Sequence, residues 1–272
     1  MSDRLAAAFE QASAENRAAL VIFITCGDPD LKTTLELVPA LAAAGADIVE
    51  LGFPHSDPIA EGPTIQAASQ RALAGGIETS DVLEVASKVR TTSETPLVLM
   101  GYMNNVLAHG EQQFVADAAA AGVDGLIIVD APFDERPALQ AACQKEGVHR
   151  VLLVAPTTPP ERMVRIAGQS GGFVYCVSVT GVTGARTELP SDLTSLIQRV
   201  KRVSSLPVAV GFGISTPAQA AEVGRVADGV VVGSALINAL AEDGTGAAIK
   251  LVRQLAAAVK RARDPERTQA PT

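Results

Sequence analysis

No tryptophan occurs in this chain, and aromatic side chains make up only 3% of it. So small an aromatic supply argues against a surface that stacks nucleic-acid bases or sugar rings. Cysteine is scarce as well. Cys26, Cys143 and Cys176 are odd in number and include no CxxC pair, which excludes a disulfide framework and a zinc site and fits a reducing compartment. His55, His109 and His149 are dispersed and show no metal-ligand spacing, so no metal is expected. The net charge is −8, with no Lys/Arg run before the last few residues, which speaks against nucleic acid or an anionic membrane as a partner. No run of about 18 apolar residues is present to span a bilayer. The N-terminus is amphipathic rather than an apolar signal core, so the expected location is the cytoplasm.

What is present is a supply of core. Hydrophobic residues make up 47% and charged residues 19% of the 272 positions. Eight short apolar runs read as strands buried on both faces, because they are continuous and β-branched rather than alternating. They are Leu20–Ile24, Asp47–Leu51, Pro96–Met100, Leu126–Val129, Val151–Val154, Phe173–Val177, Pro207–Val210 and Gly229–Val232. Amphipathic segments separate them. Thr79 and the Thr216-Pro217 pair mark helix starts, and Asp28-Pro29 reads as another, with proline in the first turn. Gly45, Gly122 and Gly147 are placed as helix-ending residues. Ala42–Asp47 and Ala119–Asp124 echo one another ahead of two strands. Eight βα repeats with short connections predict an α/β fold: a (β/α)₈ barrel as a single domain over 1–265, with a short extra N-terminal helix and a frayed tail at 266–272. An open doubly wound sheet would show similar local patterning.

In such barrels the chemistry sits where strands end and βα loops begin. The seventh run ends in Gly211-Phe212-Gly213, and the eighth in Gly233-Ser234. Glycines let the backbone approach an anion, and a helix starting after the eighth strand would aim free N–H groups at it. That pattern reads as a phosphate cradle, the alternative being glycines that merely turn the chain. The second run ends in Glu50-Leu51-Gly52. Alternation puts Glu50 on the face opposite Val49 and Leu51, where a carboxylate is costly unless it serves as a general acid or base or bonds a neighbouring strand. The next loop, Phe53–Pro63, carries His55, Asp57 and Glu61 among three prolines, and none of them is singled out by itself. Thr25, Tyr102, Asp130 and Tyr175 stand at other strand ends. The segment Ser178–Arg186 suits a mobile lid or an ordinary surface loop. All six lysines fall in predicted helices, leaving none inside the barrel for a Schiff base. Proton transfer by carboxylates, with a tyrosine hydroxyl helping, is the chemistry left.

The segment Val49–Gln66 resembles the tryptophan synthase alpha subunit family. Phe23–Pro29, Val129–Pro132, Gly172–Tyr175 with Gly181–Gly184, Gly211–Gly213 and Gly233-Ser234 extend the resemblance over nearly the whole chain. It implies a (β/α)₈ barrel without a cofactor of its own. The implied reaction is retro-aldol cleavage of indole-3-glycerol phosphate to indole and glyceraldehyde 3-phosphate, in tryptophan biosynthesis. The implied partner is a pyridoxal-phosphate-dependent beta subunit in an αββα complex. By the same resemblance, Glu50 protonates C3 of the indole ring, Glu61 accepts the indole N–H, and Tyr175 stands near the glycerol chain. Thr183 orders the second carboxylate when the lid closes. Gly184, Gly211, Gly213, Gly233 and Ser234 are expected at the phosphate. Phe23, Phe212 and Leu99 or Met100 are candidates for the indole wall.

Three positions depart from the family pattern. Glu61 stands where Asp is frequent, His55 where Phe is common, and Asn105 where a proline usually follows the first asparagine. A stand-alone indole- or sugar-phosphate lyase or isomerase, and a weakly catalytic activator of the beta subunit, therefore stay open as alternatives.

Overall fold

The computed structural model describes residues 3–177, 192–211 and 213–263. Helix α1 (Arg4–Ala14) precedes the first strand, as the sequence predicts, and Asp3 caps it by accepting from the amide of Ala6. The chain then runs β1 (Ala19–Thr25), α2 (Leu31–Ala43), β2 (Ile48–Gly52), α3 (Pro63–Ala74), α4 (Thr79–Arg90), β3 (Leu97–Gly101), α5 (Met103–His109), α6 (Glu111–Ala120) and β4 (Gly125–Ile128). It continues through α7 (Pro137–Glu146), β5 (His149–Arg150), β6 (Leu152–Val154), α8 (Pro160–Gln169), β7 (Val174–Val177), α9 (Leu193–Val203), β8 (Val208–Gly211), α10 (Pro217–Gly224), β9 (Gly229–Val232) and α11 (Ser234–Arg261). All strand pairs are parallel, in the order β5-β4-β3-β2-β1-β9-β8-β7-β6. The two ends of that order, β5 and β6, are one stave interrupted at Val151. Its lower half bonds to β4 and its upper half to β7, so the sheet closes into the expected (β/α)₈ barrel.

Strand alternation sorts the core into two layers. Leu20, Ile22 and Ile24 of β1, with Val49 and Leu51 of β2, face outward to the helices. Val21 and Phe23 of β1 and Ile48 of β2 face the interior, with Met100, Ile127, Phe173, Tyr175 and Val231. Each fully buried Leu or Ile is worth about 1.5–3 kcal/mol relative to exposure, so the outer layer carries much of the stability. Helix α1 plugs the floor from below. Leu5, Phe9 and Ala12 join the interior cluster, and Phe9 packs on Phe173 with ring centroids 5.5 Å apart. Glycine is needed at Gly229, where a Cβ would lie 2.9 Å from the Ala209 Cβ and 3.1 Å from the Phe9 ring.

The echo between Ala42–Asp47 and Ala119–Asp124 has a structural cause, and Asp228 repeats its last element. Asp47, Asp124 and Asp228 each directly precede a strand and accept the amide of Leu20, Leu97 and Val208 at 2.7, 2.8 and 3.0 Å. Each is also paired with a cation: Asp47 with Arg17 at 2.6 Å, Asp124 with Arg90 at 2.9 Å and Arg4 at 3.1 Å, and Asp228 with Lys201 at 2.7 Å. These charge-assisted bonds staple neighbouring strands together at the floor.

One boundary differs from the sequence reading. Helix α2 starts at Leu31, with Asp30 as its cap, and Asp28-Pro29 is a cis peptide ahead of it. The buried Asp28 carboxylate bonds Arg71 in two places, at 2.7 and 2.8 Å, instead of opening the helix. The Thr216 start holds, with a reciprocal capping box to Gln219. All six lysines lie on helices. Among the described residues, no helix is long and apolar enough to cross a membrane, and no group of three or more His, Cys, Asp and Glu is placed to hold a metal ion.

Candidate active site

Five strands, the loop after β8 and two helix starts surround a cavity at the C-terminal mouth of the barrel, with about 440 Å³ of space counting its opening to solvent. Its wall is built from Phe23, Glu50, Ile65, Met100, Tyr175, Gly213, Ile214, Val231, Gly233 and Ser234. Register explains the first few. Phe23 of β1 lies level with Glu50 of β2, and Glu50 level with Val98 of β3, so all three point inward in one layer. Two residues further up β3, Met100 also points inward. Leu99, the other candidate for the indole wall, belongs to the helix-facing layer, because a step of one residue reverses the face.

Glu50 is fully buried, and neither carboxylate oxygen has a hydrogen-bond partner among the described residues. Burial pushes its carboxyl up to about 8, so at neutral pH it holds a proton it can donate. A buried, unpartnered acid in a strand is costly, and here it opens onto the cavity.

Glu61 stands beside the cavity rather than in its lining. It precedes Gly62, the N-cap of α3, and is 4% exposed. Burial raises its carboxyl to about 7, with the Tyr102 hydrogen bond pulling the other way. That bond is donated by the Tyr102 hydroxyl to Oε2 at 2.5 Å, and the same hydroxyl accepts the Ala60 amide at 3.0 Å. Sequence reading placed Tyr102 at a strand end and gave it no task. Its partner lies in a proline-rich loop 41 residues away, beyond the reach of any local pattern.

Tyr175 lines the cavity. Its hydroxyl is held well above its ordinary pKa by burial first, then by the charges of Glu50 and Glu61, so the three groups form one electrostatic unit. Gly211 ends β8 beneath it. A Cβ there would come within 2.1 Å of the Tyr175 hydroxyl oxygen, so Gly211 makes room for the tyrosine. Gly211 is not part of the cavity wall.

The phosphate candidates converge as well. Gly213 adopts φ +91°, a conformation that side chains rarely take. Gly233 is the N-cap of α11, whose first two residues are Ser234 and Ala235. The amides at this start have no carbonyl partner within the helix, and the helix dipole adds partial positive charge. No Lys or Arg is among the described residues of the wall, so an anion here would rest on backbone amides and the Ser234 hydroxyl. Thr183, Gly184 and Phe212 lie outside the described residues.

The arrangement brings the buried Glu50 carboxyl, the turns at Gly213 and Gly233-Ser234, and the apolar side chains of Phe23, Ile65, Met100 and Val231 to one cavity. Comparison with known proteins identifies the family. A family profile described as Tryptophan synthase alpha chain matches residues 9–265. A Geobacter sulfurreducens protein named Tryptophan synthase alpha chain is 50% identical over 235 residues, spanning 86% of this chain and 89% of the relative. A Caulobacter protein of the same name is 48% identical over 268 residues, spanning 96% and 98%. Among solved structures, tryptophan synthase from Mycobacterium tuberculosis superposes with a TM-score of 0.90 at 42% identity, covering 96% of this chain and 99% of that one. The tryptophan synthase alpha subunit of Legionella pneumophila gives 0.89 at 39%, covering 96% and 100%. The chain belongs to the tryptophan synthase alpha chain family, the lyases that cleave indole-3-glycerol phosphate in tryptophan biosynthesis.

Proposed function

We propose that the mouth cavity holds indole-3-glycerol phosphate with its phosphate on the amides of Gly213, Gly233 and Ser234 and its indole ring against Phe23, Ile65 and Met100. Glu50 protonates ring carbon C3, which turns the ring into an indoleninium cation. Glu61, ionised, accepts the ring N–H and offsets that positive charge. The carbinol hydroxyl next to C3 then gives up its proton to the carboxylate that Glu50 has become. The bond between C3 and the carbinol carbon breaks, its electron pair returns to the ring, and the carbinol carbon becomes the aldehyde of glyceraldehyde 3-phosphate. Tyr175 stands at the glycerol chain between the two acids. A group whose pKa lies near the working pH can serve as acid and then as base in one turnover.

The observation that carries this reading is the position of Glu50: fully buried, without a partner among the described residues, and facing the same cavity as the start of α11 after β9. The reading extends to a partner, a pyridoxal-phosphate-dependent beta subunit in an αββα complex. Ile59, 67% exposed on the loop after β2, and Leu107, 51% exposed on α5, support it. They are large apolar groups on two segments beside the mouth, where a partner would cover them. Indole release by the purified chain, measured with and without added beta subunit, tests both parts. Slow turnover alone and faster turnover with the partner are expected. Vigorous turnover that the partner leaves unchanged would point to a stand-alone lyase, and no turnover in either state to an activator only.

A further inference from the structure

His55 and Glu61 are the ends of one contact chain. The His55 ring lies on the Tyr102 ring with centroids 4.4 Å apart and planes 32° from parallel. Polar contacts hold it there from both sides. The Asp57 amide donates to Nδ1 at 3.1 Å, and Nε2 meets Oδ1 of Asn104 at 2.9 Å. The neutral tautomer with its proton on Nε2 satisfies both contacts at once. Tyr102 in turn is pinned by the Ala60 amide and donates to Glu61 Oε2, and it sits at the N-cap of α5. The next residue, Met103, donates its amide to Asp130 at 2.7 Å. The loop that carries Glu61 is thus tied to the start of α5 by one ring pair and three hydrogen bonds.

We propose that His55 is a positioning residue for the lyase reaction: tethered to Asn104 and stacked on Tyr102, it keeps the Tyr102 hydroxyl on Oε2 of Glu61 and leaves Oε1 for the substrate's ring N–H. The inference rests on the role given to Glu61 in the proposed function. Phenylalanine at position 55 would supply the ring but neither polar tether. The longer reach of Glu over Asp is what such a brace would have to hold still, since a displacement of about 1 Å at a reacting group can cost as much as 10²-fold. The ionisable groups that face the pair are Tyr102 itself, Tyr175, which feels the Glu61 charge, and Asp130, whose charge Tyr102 feels.

The full-length chain with Tyr102→Phe, His55→Ala, and both changes together tests this. Tyr102→Phe is expected to lower kcat for indole release about tenfold with KM within about twofold, because it removes an orienting bond and leaves the phosphate cradle alone. His55→Ala should lower kcat about threefold in the unaltered chain and have no further effect once Tyr102 is Phe, since residues that act through one another are not additive. His55→Phe should recover part of the loss through the ring alone. A second readout does not depend on catalysis. Carboxyl-¹³C NMR, with the Glu61 signal assigned by Glu61→Gln, should show its titration midpoint moving upward in Tyr102→Phe and, less far, in His55→Ala. Full multiplication of the two kcat losses, or an unmoved Glu61 midpoint in Tyr102→Phe, overturns the brace. A shifted midpoint with no indole release by the parent chain would instead keep the brace and overturn the role given to Glu61.

Discussion

At the floor of the barrel Asp47, Asp124 and Asp228 are each matched with a cation and a strand amide, whereas at the mouth Glu50 has no partner among the described residues and Glu61 has a single tyrosine. The floor also carries the larger hollow, about 1250 Å³ against about 440 Å³ at the mouth. Yet most of its charged groups are tied down: Arg17 with Asp47, Lys201 with Asp228, His149 with Asp3, and Arg263 with the carbonyls of Gly224 and Ala227. Size therefore does not mark the site. The mark is a buried carboxyl with no partner among the described residues, facing a cavity beside the start of α11, because a protein tolerates that cost where the group is needed for chemistry.

The comparison breaks most visibly at Glu50. Glu50→Gln should lower kcat about 10²–10⁴-fold, the usual worth of a positioned acid, while inorganic phosphate still binds. Single-turnover indole release and a phosphate titration check this, and full activity in the variant would remove Glu50 from the mechanism. At the floor the reverse is expected. Asp124→Ala should leave kcat within about twofold but destabilise the chain by about 2–3 kcal/mol, since it strands Arg90 and Arg4 together with the Leu97 amide. That corresponds to a Tm lower by very roughly 4–12 °C in a calorimetric scan.

The pH profile sharpens the contrast. The proposed mechanism requires Glu61 ionised and Glu50 protonated, so kcat/KM should rise through about 7 and fall through about 8. The two limbs belong to the coupled pair rather than to either residue alone. A plateau running to pH 10 would contradict the assignment.

The smallest effect concerns stability. Folding raises the Glu50 carboxyl from 4.5 to about 8, so the folded chain binds that proton more tightly than the unfolded one. Stability from this group is fully present below 4.5 and is lost as the pH climbs towards 8. Glu50→Gln should therefore be the more stable form at pH 8, read as a higher Tm, with the gain vanishing near pH 5. Equal Tm differences at the two pH values would mean that Glu50 is not desolvated as described.

How far the sequence leads depends on whether the information is periodic. The staves are legible because strands covered on both faces must be apolar throughout, and Glu50 is legible because period two fixes its side of β2. The choice between Leu99 and Met100 is not, since the run Leu97-Val98-Leu99-Met100 is apolar on both faces. Only the pairing of Glu50 with Val98 settles which face is which. Glu61 lies in a loop among prolines, where no period operates. Its importance shows through the family resemblance, and its hydrogen bond to Tyr102 shows only once β2 and β3 are side by side. The cis Asp28-Pro29 misleads for a related reason: an aspartate before proline is an ordinary helix opener, and nothing nearby in sequence announces Arg71 as its partner.

The plug formed by α1 has a consequence for traffic. With Leu5, Phe9 and Ala12 corking the floor, the reaction chamber is a cul-de-sac. What enters and leaves the chamber does so on the side of the mouth, not through the floor.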